Sequence, residues 1–173
     1  GAQSELMAVA FRAGVLPLSP RQQIGLGAAL GSGLLLAAAL LFQYAGGLAP
    51  CPMCIWQRWP HAVAVLAGLA ILALPGRIWT LAGGGAMLLN AGLGVYHTGV
   101  ERGWWAGPDS CTAPDAGDLD AAALVDRLLE TEVVLCDQVA WEMFGLSMAS
   151  WNALASLVLG GLWLRAYASS SAS

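Results

Sequence analysis

Long apolar stretches separated by short polar segments dominate the chain. No charged side chain occurs between residues 22 and 57, or between residues 143 and 164. A helix needs about 20 predominantly apolar residues to cross a bilayer. The pattern therefore predicts four membrane spans, at about residues 24–44, 55–74, 78–98 and 147–167. Only residues 75–77, Pro-Gly-Arg, join the second span to the third, which predicts a tight helical hairpin because Pro and Gly end helices.

One long segment, residues 99–146, breaks this pattern with charge and holds ten of the eleven acidic residues. Within it, residues 118–134 place apolar and charged side chains on different faces of a helix, with Asp118 in position to cap it. This helix would lie on the membrane surface or pack on the loop itself, and the pattern fits both arrangements. We therefore expect an all-α membrane protein: a four-helix transmembrane bundle with a long periplasmic loop containing a short amphipathic helix.

Composition supports a single integral membrane domain over residues 1–173. Hydrophobic residues make up 58% of the chain, charged residues only 10%, and the mean hydropathy is +0.66. Soluble domains usually carry about 25% charged residues, so an ordinary soluble fold is excluded. The seven basic residues are scattered along the chain, which speaks against a nucleic-acid partner.

The basic residues also indicate how the bundle is oriented. With four spans, both termini and the 75–77 turn share one side of the membrane. That side carries one acid, Glu5, and four arginines: Arg12, Arg21, Arg77 and Arg165. Because clustered arginine marks the cytoplasmic face, residues 99–146 are expected on the other side, which is the periplasm for a bacterial inner membrane.

The four cysteines all fall in the two predicted periplasmic connections. They are Cys51, Cys54, Cys111 and Cys136. An oxidising compartment permits disulfides, and four cysteines allow three pairings, of which the simplest joins 51 to 54 and 111 to 136. A Cys111–Cys136 bridge would close a loop of 26 residues. Such a loop closure stabilises by roughly 3–4 kcal/mol, so a structural role is credible for it.

The Cys51–Cys54 pair closes almost no loop, so stability is not its main use. It stands at a predicted helix start, where unpaired N–H groups and the helix dipole favour a thiolate. Pro52 suits the first turn, where no backbone N–H is needed. A zinc site using all four cysteines would have the wrong spacing, because Cys111 and Cys136 lie 25 residues apart. We therefore expect thiol chemistry and no metal.

Two further polar residues are candidates for a ligand site. Arg58 lies one helical turn after Cys54, and it either snorkels to the interface or favours the Cys54 thiolate and donates hydrogen bonds to a membrane-borne ligand. His97, at the end of the third span, is expected at the depth of the cysteine pair, as a solvated interfacial histidine or as part of that site. His61 remains unassigned.

Several segments together resemble the DsbB family, the bacterial disulfide bond formation protein B. They read C-P-M-C-I-W-Q-R at 51–58, G-V-Y-H-T-G-V-E at 94–101, G-P-D-S-C at 107–111, C-D at 136–137 and G-L-S-M-A-S-W-N at 145–152. With the order of four spans and two cysteine pairs, the likeness extends from about residue 20 to 167. It implies an inner-membrane thiol oxidase that re-oxidises a soluble thioredoxin-like oxidant, DsbA, and passes the electrons to a quinone.

The resemblance also implies a role for each cysteine. Carried over by position, Cys111 would form the mixed disulfide with DsbA, and Cys136 would be its disulfide partner. Electrons would then pass to Cys51 and Cys54, of which Cys54 would face ubiquinone or menaquinone in a charge-transfer complex.

Two more residues match the family's quinone site. Arg58 matches its arginine, and His97 falls where the family has a histidine near the quinone, a match that depends on loop spacing. DsbA has a potential of about −120 mV, so a more oxidising acceptor in the bilayer is needed to re-oxidise it.

Other functions also fit the residues. One alternative is a related relay, such as a vitamin K epoxide reductase-like protein or a homologue with a dedicated partner. Another is a non-catalytic membrane protein stapled by two disulfides. Loss of quinone reduction in a stable Cys54→Ala variant would separate the enzyme from the stapled protein.

Overall fold

Four helices and a short β-hairpin make up the described part of the chain. The structure is a computed structural model that describes residues 18–74, 76–111, 125 and 134–169. Its elements are α1 (Pro20–Tyr44), α2 (Pro52–Ala73), α3 (Ile78–Glu101), β1 (Glu142–Met143), β2 (Leu146–Ser147) and α4 (Met148–Ser169). The four predicted spans are confirmed as helices. The predicted amphipathic helix at residues 118–134 lies outside the described residues, apart from residues 125 and 134.

Side-chain caps explain why two helices begin earlier than predicted. The Ser19 hydroxyl accepts a hydrogen bond from the backbone N–H of Gln22, whose side chain accepts one from the Ser19 N–H. This capping box starts α1 at Pro20 rather than at residue 24. In α2, the sulfur of Cys51 accepts from the backbone N–H of Cys54. The helix therefore begins at Pro52, before the predicted span.

Each helix packs against two neighbours, in an up-and-down bundle. The helix α1 contacts α2 and α4, and α3 contacts the same two helices. The C-termini of α1 and α3 and the N-termini of α2 and α4 therefore meet at one end of the bundle, which we call the site end. The turn between α2 and α3 lies at the opposite end, where the Gln22 side chain of α1 donates to the Ile71 carbonyl of α2.

The bundle interior combines large apolar side chains with small and polar ones, and the outer surface is apolar. Asn90, Thr80, Ser32 and Ser156 are almost completely buried. Apolar side chains that are more than three-fifths exposed occur on all four helices: Leu30, Leu34, Leu41, Leu66, Leu89 and Val158. Lipid favours this distribution, because acyl chains accept outward-facing leucines while small residues let helices approach closely.

Close helix approach depends on glycine at particular positions. A Cβ added at Gly94 of α3 would lie 2.9 Å from the Cβ of Ala153 in α4 and 3.0 Å from its backbone. A Cβ at Gly68 of α2 would collide with Ala29 of α1. These glycines set the spacing of two of the helix pairs.

Polarity differs among the helices. Among the described residues, α1 and α3 are long and apolar enough to cross a membrane by length and composition. The helix α2 carries Gln57, Arg58 and His61 within its first three turns, and α4 carries Asn152 and Ser156. The two less apolar helices thus supply most of the polar side chains of the site described next.

Candidate redox site

Cys51 and Cys54 lie together at the N-terminus of α2. Cys51 is the N-cap residue and is buried. Cys54 lies in the first turn of the helix, whereas the sequence analysis placed it in the connection before the span. The two Sγ atoms are 3.0 Å apart, with the Cys51 thiol donating to Cys54. The backbone N–H of Cys54 donates to the Cys51 sulfur at 3.3 Å.

This geometry distinguishes the two sulfurs. The hydrogen bond that Cys51 donates to Cys54, together with burial, raises the pKa of the Cys51 thiol above its usual range. The proton of a half-ionised pair therefore stays on Cys51, and the thiolate forms on Cys54. The helix N-terminus favours a negative charge at the same position.

His97, which lies on α3, is close to the cysteine pair. Its Nε2 atom lies 3.7 Å from the Sγ of Cys51 and 3.9 Å from Oε1 of Glu101, one turn further along α3. Its Nδ1 atom lies 2.8 Å from Nε2 of Gln57. The ring is 2% exposed, so it is a buried member of the site and not a solvated interfacial group.

The sequence interpretation did not assign Glu101 and Gln57 to the site. Only their helical spacing could have indicated them, because Glu101 follows His97 by four residues and Gln57 follows Cys54 by three.

The second cysteine pair lies in the same buried cluster as the first. A disulfide joins Cys111 to Cys136, the longer of the two predicted bridges. Both residues are fully buried, and they form one cluster with Cys51, Met53 and Val100. The two cysteine pairs are thus neighbours at the site end of the bundle, although most of the loop between Cys111 and Cys136 lies outside the described residues.

A mostly apolar cavity of about 350 Å³ opens beside Cys54. Its apolar walls come from α1, α2, α4 and the segment just before β1, and include Leu35, Phe42, Trp141 and Ala155. Cavities that hold small organic ligands usually measure roughly 300–1,000 Å³ and carry a few polar groups. Here the polar wall residues are Cys54, Gln57, Arg58, His61, His97 and Asn152.

Arg58 lies on the wall of this cavity. Its guanidinium donates a hydrogen bond to Oε1 of Gln43 in the last turn of α1, at 2.7 Å. The described contacts include no hydrogen bond from Arg58 to Cys54. Because a guanidinium carries five N–H donors, the bond to Gln43 leaves Arg58 able to donate to a ligand in the cavity.

A chain of amide and imidazole groups runs from the cysteines toward the middle of the bundle. The Asn152 amide donates to Oε1 of Gln57 at 2.7 Å. Oδ1 of Asn152 lies 2.8 Å from Nε2 of His61. Deeper still, the Asn90 amide donates to the hydroxyl of Ser156 at 2.9 Å. His61 thus belongs to a network that links three helices, and nothing in the local sequence around Asn152 indicated its part in it.

A second, small cavity of about 40 Å³ shares Cys54 and His97 of its lining with the large one. Cys51, Cys54, His97 and Glu101 all line it. One potential ligand atom each from Cys51, Cys54 and His97 lies within 4.8 Å of the others, a spacing that suits a metal ion. The second oxygen of Glu101 is buried without a hydrogen-bond partner among the described residues.

Comparisons with known proteins agree on one family. The family model described as disulfide bond formation protein DsbB matches residues 21–166. Disulfide bond formation protein B of Dechloromonas aromatica (strain RCB) is 34% identical over 73% of this chain and 81% of its own length. The protein of the same name from Polaromonas naphthalenivorans (strain CJ2) is 32% identical over 82% of this chain and 87% of its own. No solved structure is significantly similar to the chain.

Proposed function

This chain belongs to the DsbB family of membrane-embedded disulfide bond formation proteins, and we propose that it is a quinone-dependent thiol oxidase for a DsbA-like partner. One observation carries the proposal. The Cys111–Cys136 disulfide lies in the same buried cluster as Cys51, and Cys54 of the inner pair lines an apolar cavity. Electrons that enter at the outer pair can therefore reach a ligand dissolved in the bilayer through two adjacent exchanges.

The outer pair receives the electrons of the soluble partner. A thiolate of the reduced partner attacks the sulfur of Cys111, and the Cys111–Cys136 bond breaks to release a Cys136 thiolate. The second thiol of the partner then attacks the mixed disulfide. The partner leaves oxidised, and Cys111 and Cys136 hold the two electrons as a dithiol.

The inner pair receives these electrons by a second exchange. The Cys136 thiolate attacks the sulfur of Cys51, and Cys54 leaves as the thiolate. Packing of Cys136 and Cys51 in one buried cluster supports this order. The raised pKa of Cys51 also supports Cys54 as the leaving thiolate. The reduced pair carries its negative charge on Cys54, whose sulfur lies beside the cavity. Attack of Cys111 on the Cys51–Cys136 bond restores the outer disulfide.

The large cavity fits a quinone ring. Its apolar walls suit the ring and exclude water, and Arg58 is placed to donate to a carbonyl oxygen. A bound ubiquinone or menaquinone would supply a two-electron, two-proton acceptor at this point. Cys54 lines the cavity as the electron donor, and His97 lines it too, with its Nε2 atom 3.7 Å from the sulfur of Cys51.

Location and orientation complete the proposal. We place the bundle in a bacterial inner membrane as a single domain, with both termini in the cytoplasm and all four cysteines facing the periplasm. The arginine distribution supports this orientation, because Arg21 and Arg77 lie at the end of the bundle opposite the site end.

Anaerobic mixing tests the proposal. The purified protein is combined with a reduced DsbA-like protein and ubiquinone or menaquinone, and quinone reduction is followed by absorbance. We expect turnover with the wild-type protein and none with Cys54→Ala. A wild-type protein that reduces neither quinone would end the proposal, and the two cysteine pairs would then have a structural role.

A further inference from the structure

We propose that Gln57 is a positioning residue. It holds the neutral His97 ring with its proton on Nε2, facing Cys51, and thereby keeps divalent metal ions out of the Cys51, Cys54 and His97 cluster. The inference builds on the proposed function, because it concerns the same inner cysteine pair, but it is measured without turnover.

The orientation of the Gln57 amide follows from two partners. Its Nε2 atom lies 3.2 Å from the backbone carbonyl oxygen of Met53, which accepts hydrogen bonds and donates none. Its Oε1 atom accepts from the Asn152 amide at 2.7 Å. Turning the amide over would bring two oxygens together at Met53 and two nitrogens together at Asn152, so the observed orientation is the stable one.

The amide orientation decides the protonation of His97. The second N–H of the Gln57 amide points at Nδ1 of His97, 2.8 Å away. Nδ1 must therefore offer a lone pair, and the single proton of the neutral ring lies on Nε2. That N–H faces the sulfur of Cys51 at 3.7 Å and the carboxylate of Glu101 at 3.9 Å. His97 is thus a fixed donor beside the sulfur that must lose its proton when the inner disulfide re-forms.

The same tautomer opposes metal binding. The ligand atoms of Cys51, Cys54 and His97 lie within 4.8 Å of one another, and two thiolates with an imidazole are ligands that zinc favours. A metal ion needs the lone pair of Nε2, however, and in this tautomer that nitrogen carries the proton. A bound Zn²⁺ would hold both sulfurs as thiolates and prevent their oxidation to a disulfide. Gln57 therefore protects the redox activity of the pair.

Replacing the Gln57 amide with a carboxylate should move the His97 proton from Nε2 to Nδ1. In a Gln57→Glu variant, one carboxylate oxygen still accepts from Asn152, and the other, which loses the hydrogen bond to the Met53 carbonyl oxygen, accepts from His97. The His97 proton is then held on Nδ1, and Nε2 is free to bind a metal ion with the two cysteines. Side chains that hydrogen-bond the far nitrogen of a metal-binding histidine change metal affinity on the order of 10–100-fold.

The first measurement determines the tautomer of His97 directly. The chain has two histidines, so long-range ¹⁵N–¹H correlation of the reduced, ¹⁵N-histidine-labelled protein gives two ring systems, which a His61→Gln sample assigns. We expect the His97 proton on Nε2 in the wild-type protein and on Nδ1 in Gln57→Glu. The His61 ring, which reaches Gln57 only through Asn152, should be unchanged. A wild-type His97 with its proton on Nδ1 overturns the proposal, and this spectrum needs no variant to fold.

The second measurement determines the metal affinity of the Cys51, Cys54 and His97 cluster. Co²⁺ is titrated into the reduced proteins, and thiolate-to-cobalt absorption reports binding. We expect Gln57→Glu to bind about 10–100-fold more tightly than the wild-type protein. Gln43→Glu is the matched control, because it adds the same charge beside Arg58 rather than His97, and it should bind like the wild-type protein. Equal affinity of the wild type and Gln57→Glu overturns the metal-exclusion role, whereas absent quinone reduction would overturn only the proposed function.

Discussion

The Sγ atom of Cys51 lies 3.7 Å from Nε2 of His97, although 46 residues separate them along the chain. This contact joins the first residue before α2 to the last turn of α3. It places a buried imidazole beside one sulfur of the inner pair and leaves the other sulfur, Cys54, on the wall of the large cavity. The two cysteines of one C-x-x-C motif therefore meet different environments, and the predictions below follow from that difference.

Replacing Cys54 with alanine should abolish quinone reduction without unfolding the bundle. Cys54 is only partly buried, so losing its sulfur should cost about 1 kcal/mol or less of unfolding free energy. Thermal unfolding in detergent and quinone absorbance under anaerobic conditions measure the two effects. Residual quinone reduction by this variant would contradict the role of Cys54 as the electron donor.

Replacing Arg58 with alanine should raise the apparent KM for quinone much more than the KM for the soluble partner. A hydrogen bond to a charged donor is worth about 1.5–3 kcal/mol, which corresponds to roughly 10- to 100-fold in KM. Steady-state kinetics with each substrate varied in turn test this. The Gln43→Ala variant is the control, since it removes only the protein partner of Arg58. An unchanged quinone KM in Arg58→Ala would show that Arg58 only snorkels.

Replacing Cys136 with serine should trap the soluble partner. In this variant Cys111 is a lone thiolate, which attacks the disulfide of the oxidised partner, forms the adduct and releases one partner thiol. When that thiol is alkylated on quenching, it cannot reverse the reaction, so the covalent adduct should accumulate on a non-reducing gel. The variant should also lose about 3–4 kcal/mol of stability from the opened loop. Cys111→Ser is the matched control, because it loses the same bridge and should give no adduct. Equal adducts from both variants would mean that the partner enters at either sulfur.

The two inner cysteines should differ in their reaction with an alkylating reagent. Because the pKa of Cys51 is raised, less of it is thiolate at any given pH. Between about pH 6 and 9, the reduced protein should therefore be modified at Cys54 first. Alkylation of Cys51 should keep rising with pH to the alkaline end of this range. Mass spectrometry of the modified peptides measures both sites, and the denatured protein, where the two should react alike, is the control.

Replacing Gly94 with alanine should destabilise the bundle. The added methyl would press against Ala153 at about 3 Å, and overpacking of this kind costs about 1–3 kcal/mol. Gly92, two residues earlier on the same helix, has nothing within 4 Å of the equivalent position. Gly92→Ala should therefore be neutral or slightly stabilising, because alanine favours a helix. Equal melting temperatures of the two variants would argue against close contact of α3 with α4.

Apolar spacing was sufficient to predict the helices, because a bilayer imposes a length and a composition on any segment that crosses it. The errors lie at the ends of α1 and α2, where Ser19 and the sulfur of Cys51 cap the helices earlier than hydropathy indicates. The cysteine spacing likewise indicated a reactive pair and a longer bridge, since the loop length of each pair can be read directly from the chain.

The sequence by itself therefore determined the four helices of the bundle and the grouping of the cysteines into two pairs. Only the tertiary structure decided that the two pairs are neighbours and that Arg58 bonds to Gln43. It also decided that Gln57 orients His97. The physical reason is that hydropathy and helix caps act within about one turn of the chain. Contacts between helices depend instead on the rotation and packing of four helices relative to one another, which no single segment encodes.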